Sequence, residues 1–429
     1  MEERQPLTIR HVLVVATGIL CLFGPAALSI NTWSVFLVPV TQSLGISSGD
    51  FTFYVTLLFL AAAASSPIAG NLMQKVDLRI VISAAAALCS IGIFLCQFYT
   101  EAWQFYVSGV LQGMGICVIL FLTPSTLVSR WFNVHNGLLI GICAAMSGAG
   151  AVVWTMLAGF IIDSSGWREA YLVFGIACAA ISLPATLFCI RSYPEDIGLK
   201  PYGPPRDDLP TASVGGEGAP ERPGIAAKDA FRMPVFYTLM ITFMLTNATA
   251  QLGNYLPTYL YHLADLGQAG LTAATVVIMA SVIAACLQAA HAVAKIALGQ
   301  VVDHSNVLAL AIGCGCGFAG ILFVWQGYFS QPFVYAGAAL FGVHFAMTNV
   351  LGPSFTLRLF GPREYTKIYS RITTVMNLMP AAALVVFSAL SEASWDLLFI
   401  TVLAIIAIVF ATGMATVVFG RRMRQGDQQ

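Results

Sequence analysis

Apolar residues in this chain come in long blocks, each close to the length of about 20 residues that a helix needs to cross a hydrocarbon core of about 30 Å. Breaks at charge, Gly and Pro place twelve such spans at 12–38, 51–73, 79–98, 103–129, 137–162, 168–190, 234–261, 271–298, 306–327, 332–357, 366–390 and 395–420. The eleventh is interrupted by an Asn and a Pro. The first block begins near His11 and runs past Leu37 with no small-residue cleavage site, so it is expected to be a retained span and not a secretory peptide. The pattern predicts an all-α membrane protein.

Composition sharpens this. Of 429 residues, 58% are hydrophobic and 9% charged, too few charges for the surface of a soluble domain, which carries about 25%. Twenty basic residues balance twenty acidic ones, which gives no indication of nucleic acid as a partner. The ten cysteines all fall inside apolar segments and suit buried free thiols, not a disulfide framework. Cys314 and Cys316 sit on a Gly-rich apolar helix with no further ligand near them in sequence.

Placement of the basic residues sets an orientation, because cytoplasmic flanks are enriched in Lys and Arg. Arg4, Arg10, Lys75, Arg79, Arg130, Arg191, Lys200, Arg206, Arg222, Lys228, Arg232, Arg358, Arg363, Lys367, Arg371, Arg421, Arg422 and Arg424 fall on one side of a twelve-span chain. Arg168 falls on the other, and Lys295 within a span. Both termini are therefore expected in the cytoplasm, in a multi-pass protein of the cell membrane. The polar stretch 191–230, rich in Pro, Gly and charge, reads as a flexible cytoplasmic linker between bundles of six spans at 1–190 and 231–429.

Lys295 is the one residue from Leu271 to Val302 with a formal charge at pH 7, and its span contains no Asp or Glu. It lies eight residues before Asp303, or roughly 12 Å at about 1.5 Å per residue. An ammonium in hydrocarbon costs about 3 kcal/mol on insertion scales. The position calls for a wet cavity, an anion or both, and a lysine snorkelling toward the loop is the plainer alternative. His291, four residues earlier, shares its helix face and is able to bond a carboxylate or carry a proton.

The loops repeat. "GNLMQKVDLR" (Gly70 to Arg79) follows span 2 and "GQVVDHSNV" (Gly299 to Val307) follows span 8. The pattern resembles the loop signature of the major facilitator superfamily, and the second copy, with Gly299, Asp303 and His304, fits better than the first, where Gln74 and Asp77 depart from it while Lys75 and Arg79 remain. "SRWFNVHNGLLIGI", "GWREAY" and "YPEDIGLKPYG" are similar to the monocarboxylate transporter and oxalate/formate antiporter branch of that superfamily. The resemblance implies two pseudo-symmetric six-helix bundles, alternating access, and gating by Gly70, Lys75, Gly299 and Asp303. It also implies that Lys295 stands where the branch carries a carboxylate-pairing basic residue, and that His291 and Asn31 replace the Asp and Lys of animal proton-coupled members.

A midplane site at the interface of the halves is the expected place for substrate. Asn31 and Asn377 are candidate polar contacts there, Phe121, His344 and Phe345 a candidate apolar wall, and Asn247, Gln251 and Tyr255 a polar stripe on span 7. Ser147, Gly148 and Gly150 allow close helix approach. The expected function is secondary transport of small organic anions, monocarboxylates above all, with proton coupling or exchange left open. The expected partners are a small carboxylate, protons where coupling applies, and the lipid bilayer, with the monomer as working unit and no cofactor. Arg371 keeps a dicarboxylate in play. Export of larger amphipathic acids or drugs and a transport-like sensor are the alternatives. An enzyme is not expected, since the six histidines are scattered and no nucleophile–base pair is visible.

Overall fold

Where no water reaches the backbone, every N–H and C=O has to be bonded within its own segment, so the apolar blocks fold as helices. The computed structural model describes residues 6–204, 224–267, 273–326 and 331–426. Arg4, Arg206, Arg222, the middle of the 191–230 linker, the start of the expected 271–298 span and the last residue of 306–327 lie outside the described residues.

Among the described residues, twelve long helices follow the expected blocks: α1 (Ile9–Leu37), α2 (Gly49–Lys75), α3 (Leu78–Phe98), α4 (Ala102–Trp131), α5 (Asn136–Ser165), α6 (Trp167–Cys189), α7 (Pro234–Asn254), α8 (Ala273–His304), α9 (Asn306–Trp325), α10 (Gln331–Phe360), α11 (Tyr365–Ala393) and α12 (Trp395–Gly426). Among the described residues, eleven helices are long and apolar enough to cross a membrane. The twelfth, α11, carries Thr366, Lys367, Ser370, Arg371, Thr373, Thr374 and Asn377 in its first half. No strand forms among the described residues beyond one isolated bridge between Phe132 and Tyr202. All ten cysteines are free, seven of them buried.

Packing divides the chain into two units, Met1–Ala227 with Phe360–Leu378, and Lys228–Leu359 with Met379–Gln429. The first half of α11 thus belongs with the first unit although the sequence counts it to the second half. Hydroxyls explain why. Ser66 of α2 donates to the Ser370 carbonyl at 2.9 Å and pairs with the Thr373 hydroxyl at 2.6 Å, and Thr126 of α4 pairs with Thr366 at 3.0 Å. Gly70 keeps the contact close, since a Cβ there would lie 2.9 Å from the Thr366 carbonyl.

The first unit is full of irregular turns. Wide π-turns interrupt α1 at Leu22–Ala26, around Pro25, α4 at Cys117–Leu122 and α6 at Ala185–Cys189. Gly150 brings α5 against the Phe23 carbonyl of α1, where Trp154 donates its indole N–H at 2.8 Å. The expected linker is not loose throughout. Tyr202 exchanges backbone bonds with Trp131 and Asn133 at 2.9 and 2.8 Å, and buried His11 packs its ring against Trp131, Phe132 and Tyr202 while bonding the Lys200 carbonyl at 3.2 Å.

In the second unit, α7 gives way to a tight 3₁₀ turn at Gln251–Asn254 before a short helix Leu256–Asp265. Pro257 at the second position of that helix has no N–H to continue the ladder backwards. Threonines tie α7 to α12, with Thr242 to Thr412 and Thr416 to Thr238 each at 3.0 Å.

Candidate functional site

Lys295 is the centre of the candidate site in the second unit. It lies nine residues inside the end of α8 and is 4% exposed. An ionisable side chain inside a membrane span is retained where it has work to do, which makes it a functional candidate by position alone.

One helical turn earlier, the His291 imidazole lies flat on the Phe345 ring, with centroids 4.2 Å apart and planes 6° from parallel. Gly342 makes this stack possible. A Cβ on Gly342 would stand 2.6 Å from the Leu287 carbonyl and 3.0 Å from the His291 nitrogen, so only glycine lets α10 come this close to α8. The His291 ring bonds Gln288 Oε1 through Nδ1 at 3.4 Å, while its Nε2 is buried with no hydrogen-bond partner.

His344, one residue before Phe345, does something different. It is fully buried, with Nε2 bonded to the Thr249 hydroxyl at 2.8 Å and Nδ1 to the Gly313 carbonyl at 3.2 Å. It fastens α7, α9 and α10 together, and Gly317 leaves room for its ring. Asn247, Gln251 and Tyr255 are half-buried, but the 3₁₀ turn changes their register: Gln251 bonds the Asn247 carbonyl at 3.3 Å and accepts from Asn254 at 3.1 Å, and Tyr255 turns its ring toward Phe387.

The remaining candidates lie in the first unit. Asn31 sits where α1 breaks and donates to the Ser147 carbonyl of α5 at 3.3 Å. Phe121 is half-buried within the π-turn of α4, a kind of turn often found at functional sites. Asn377 is 3% exposed, and its amide nitrogen is buried without a partner. Arg371 is exposed.

The repeated loops take up matching roles. In the first unit Arg130, at the end of α4, donates to the Met73 carbonyl near the end of α2 at 2.9 Å. Within the second unit Arg358, near the end of α10, donates to the Asp303 carbonyl near the end of α8. Lys75 is exposed in the last turn of α2, and Gly299 is buried.

Sequence reasoning passed over the acid of the first loop. Asp77 caps α3 by accepting from the Arg79 N–H at 2.9 Å, pairs with the Arg79 guanidinium at 2.7 Å and accepts from Ser192 at 3.0 Å. The bonds to Arg79 come first among the causes that hold its carboxyl down to about 2. Arg130 completes the cluster over the Tyr193 ring at 4.3 Å. An Asp directly before an apolar helical run was the available signal. Arg168, the basic residue set apart from the others, bonds the Gln97 and Tyr99 carbonyls, both at 3.1 Å, at the end of α3.

Comparison with known proteins agrees with this arrangement. Residues 19–383 match the Major Facilitator Superfamily as a family. The chain belongs to the Major Facilitator Superfamily. This is a family of membrane transporters and not of enzymes. Mouse monocarboxylate transporter 11 is 28% identical over 297 residues, covering 66% of this chain and 59% of that protein. Mouse monocarboxylate transporter 6 is 24% identical over 184 residues, 41% of this chain and 39% of that protein. The multidrug efflux pump SdrM of Staphylococcus aureus (strain N315) is 25% identical over 191 residues, 44% and 42% of the two. In each case the match spans less than two thirds of the relative's own length. The crystal structure of a superfamily transporter, FucP, in the outward conformation shares the fold, with a TM-score of 0.67 at 13% identity over 95% of this chain and 98% of that one.

Proposed function

We propose that this protein is a secondary carrier of small organic anions, of the monocarboxylate kind, working by alternating access in the cell membrane as a monomer with both termini in the cytoplasm. The observation that carries the reading is Lys295, a cation 4% exposed within α8. A substrate carboxylate in contact with that ammonium offsets part of the cost of holding it there. Two mouse relatives named as monocarboxylate transporters support the substrate class. His291, one turn away, is the candidate for proton coupling, and exchange of one anion for another is the alternative drive. Export of larger amphipathic acids is the second reading, favoured by the similarity to a multidrug efflux pump and by the half-buried rings of Phe121 and Phe345.

The test is uptake of labelled mono- and dicarboxylates into vesicles reconstituted with the full chain, with and without an imposed pH gradient. Removing one side of a buried charge contact costs about 2–5 kcal/mol, so Lys295→Ala is expected to weaken transport by about thirtyfold or more. Lys295→Arg is expected to keep a measurable part of it. Uptake by Lys295→Ala at the wild-type rate would remove the anion reading, and transport of amphipathic drugs in place of acids would install the second.

A further inference from the structure

Threonines set the register of α7 on α12. Thr416 donates to the Thr238 hydroxyl and Thr242 to the Thr412 hydroxyl, each at 3.0 Å, so the two helices run antiparallel, with 238 against 416 and 242 against 412. Carried to the end of the seam, the same register brings Arg232, two residues before α7, about level with Arg422 of α12. Lys228 lies in the short helix Ala227–Ala230 just before, and Arg421 stands next to Arg422. All four basic residues are exposed, and all belong to the second unit.

Many basic residues of this protein are engaged by the chain itself. Arg79 pairs with Asp77 and Lys367 with Glu364, while Arg130 bonds the Met73 carbonyl and Arg358 the Asp303 carbonyl. Among the described residues, no side-chain hydrogen bond or ion pair engages Lys228, Arg232, Arg421 or Arg422, and the carboxylate of Asp229 makes none either. Cations gathered at one end of a seam repel one another until an anion joins them. Depth identifies which anion. Arg422 stands about 40 Å along α12 from Trp395 at about 1.5 Å per residue, past a hydrocarbon core of about 30 Å and within the headgroup layer that brings a bilayer to about 40–45 Å. The exposed face of α12 that ends in Arg422 carries Ile408, Ala411 and Val418 at helical spacing, and exposed Tyr237 and Ile241 lie four apart on α7. Acyl chains suit that apolar face, and a phosphate suits its charged end.

We infer that Lys228, Arg232, Arg421 and Arg422 bind the headgroup of an anionic phospholipid at the end of the α7–α12 seam, whatever solute the protein carries. Native mass spectrometry of the full chain, supplied with equal amounts of phosphatidylglycerol and phosphatidylcholine of matched acyl chains, tests this. Each Lys or Arg near an anionic lipid surface is worth about fivefold in affinity. The wild type is therefore expected to retain phosphatidylglycerol over phosphatidylcholine by about tenfold or more, and Arg232→Gln combined with Arg422→Gln to lose about tenfold or more of that preference. Arg10→Gln combined with Lys200→Gln removes the same charge from the first unit and is expected to keep it. Equal retention of the two lipids by the wild type overturns the inference without recourse to any variant. An equal loss in the two double variants overturns it too, because net charge and not this seam then does the selecting. Displacement of phosphatidylglycerol by an equal concentration of glycerol phosphate, the headgroup without its chains, would make the ligand a free anion and overturn the lipid assignment.

Discussion

Asp77 shows what a single side chain does at the edge of a span. Its carboxylate caps α3, pairs with Arg79 and receives Ser192, so three short segments converge on one charge. Replacing an N-cap acid costs about 1 kcal/mol. The pH dependence follows from the bonds that hold the carboxyl down to about 2, below the value of about 3.9 for an unfolded Asp. A depressed carboxyl stabilises fully above the unfolded value and loses that contribution as pH falls through the folded one. The unfolding temperature of the wild type is therefore expected to exceed that of Asp77→Asn by a constant margin between about pH 5 and 8, closing from about pH 4 down to about 2. A margin that varies between pH 5 and 8 would assign the effect to another group. Lys295 was legible in the sequence because a lone charge in a long apolar run needs no structure to be seen. The roles of its neighbours were not. His291 and His344 are the same residue type in similar apolar surroundings, and what separates them is which partners reach their nitrogens: Thr249 and Gly313 satisfy one ring, and Phe345 stacks on the other and leaves Nε2 bare.

Helices in this chain pass for apolar rods until their hydroxyls find partners. The first half of α11 is rich in Thr and Ser, and those residues hold it to α2 and α4. A hydroxyl pair between membrane helices contributes on average about 0.6 kcal/mol. A double-mutant cycle on Ser66→Ala and Thr373→Val, read by thermal unfolding of the purified protein, is expected to give a coupling of about that size, up to about 1.7 kcal/mol. Additive single mutants would mean that the 2.6 Å contact contributes no net stability. Helix existence was readable from block length. The breaks at Asn31, Cys117–Leu122 and Gln251–Asn254 were not, because a π- or 3₁₀-turn depends on which carbonyls neighbouring helices and prolines leave to be satisfied. The stripe Asn247, Gln251, Tyr255 assumed an unbroken helix, and the turn after Ala250 removes that assumption.

For the whole molecule, the fold was legible at the coarsest level, since repeated apolar blocks, one-sided basic loops and twin Gly-led turns each report a long-range regularity. The division into packing units was not, because Phe360–Leu378 joins partners some 300 positions away in sequence. One consequence is open to a direct test. Cutting the chain at a protease site inserted between residues 204 and 224 is expected to leave two fragments that purify together, since the second carries helix that belongs to the first unit. Fragments that separate without denaturant would contradict that packing. A further consequence concerns the order in which the protein is made. The first unit is interrupted after Ala227 and completed at Leu378, about 150 residues later; at about 5–20 residues per second the wait on the ribosome is roughly 8–30 s. Throughout that interval Ser66 and Thr126 stand in newly inserted helices without the hydroxyls they will bond, so the nascent first half is a client for whatever insertion machinery shields polar groups from lipid until α11 arrives.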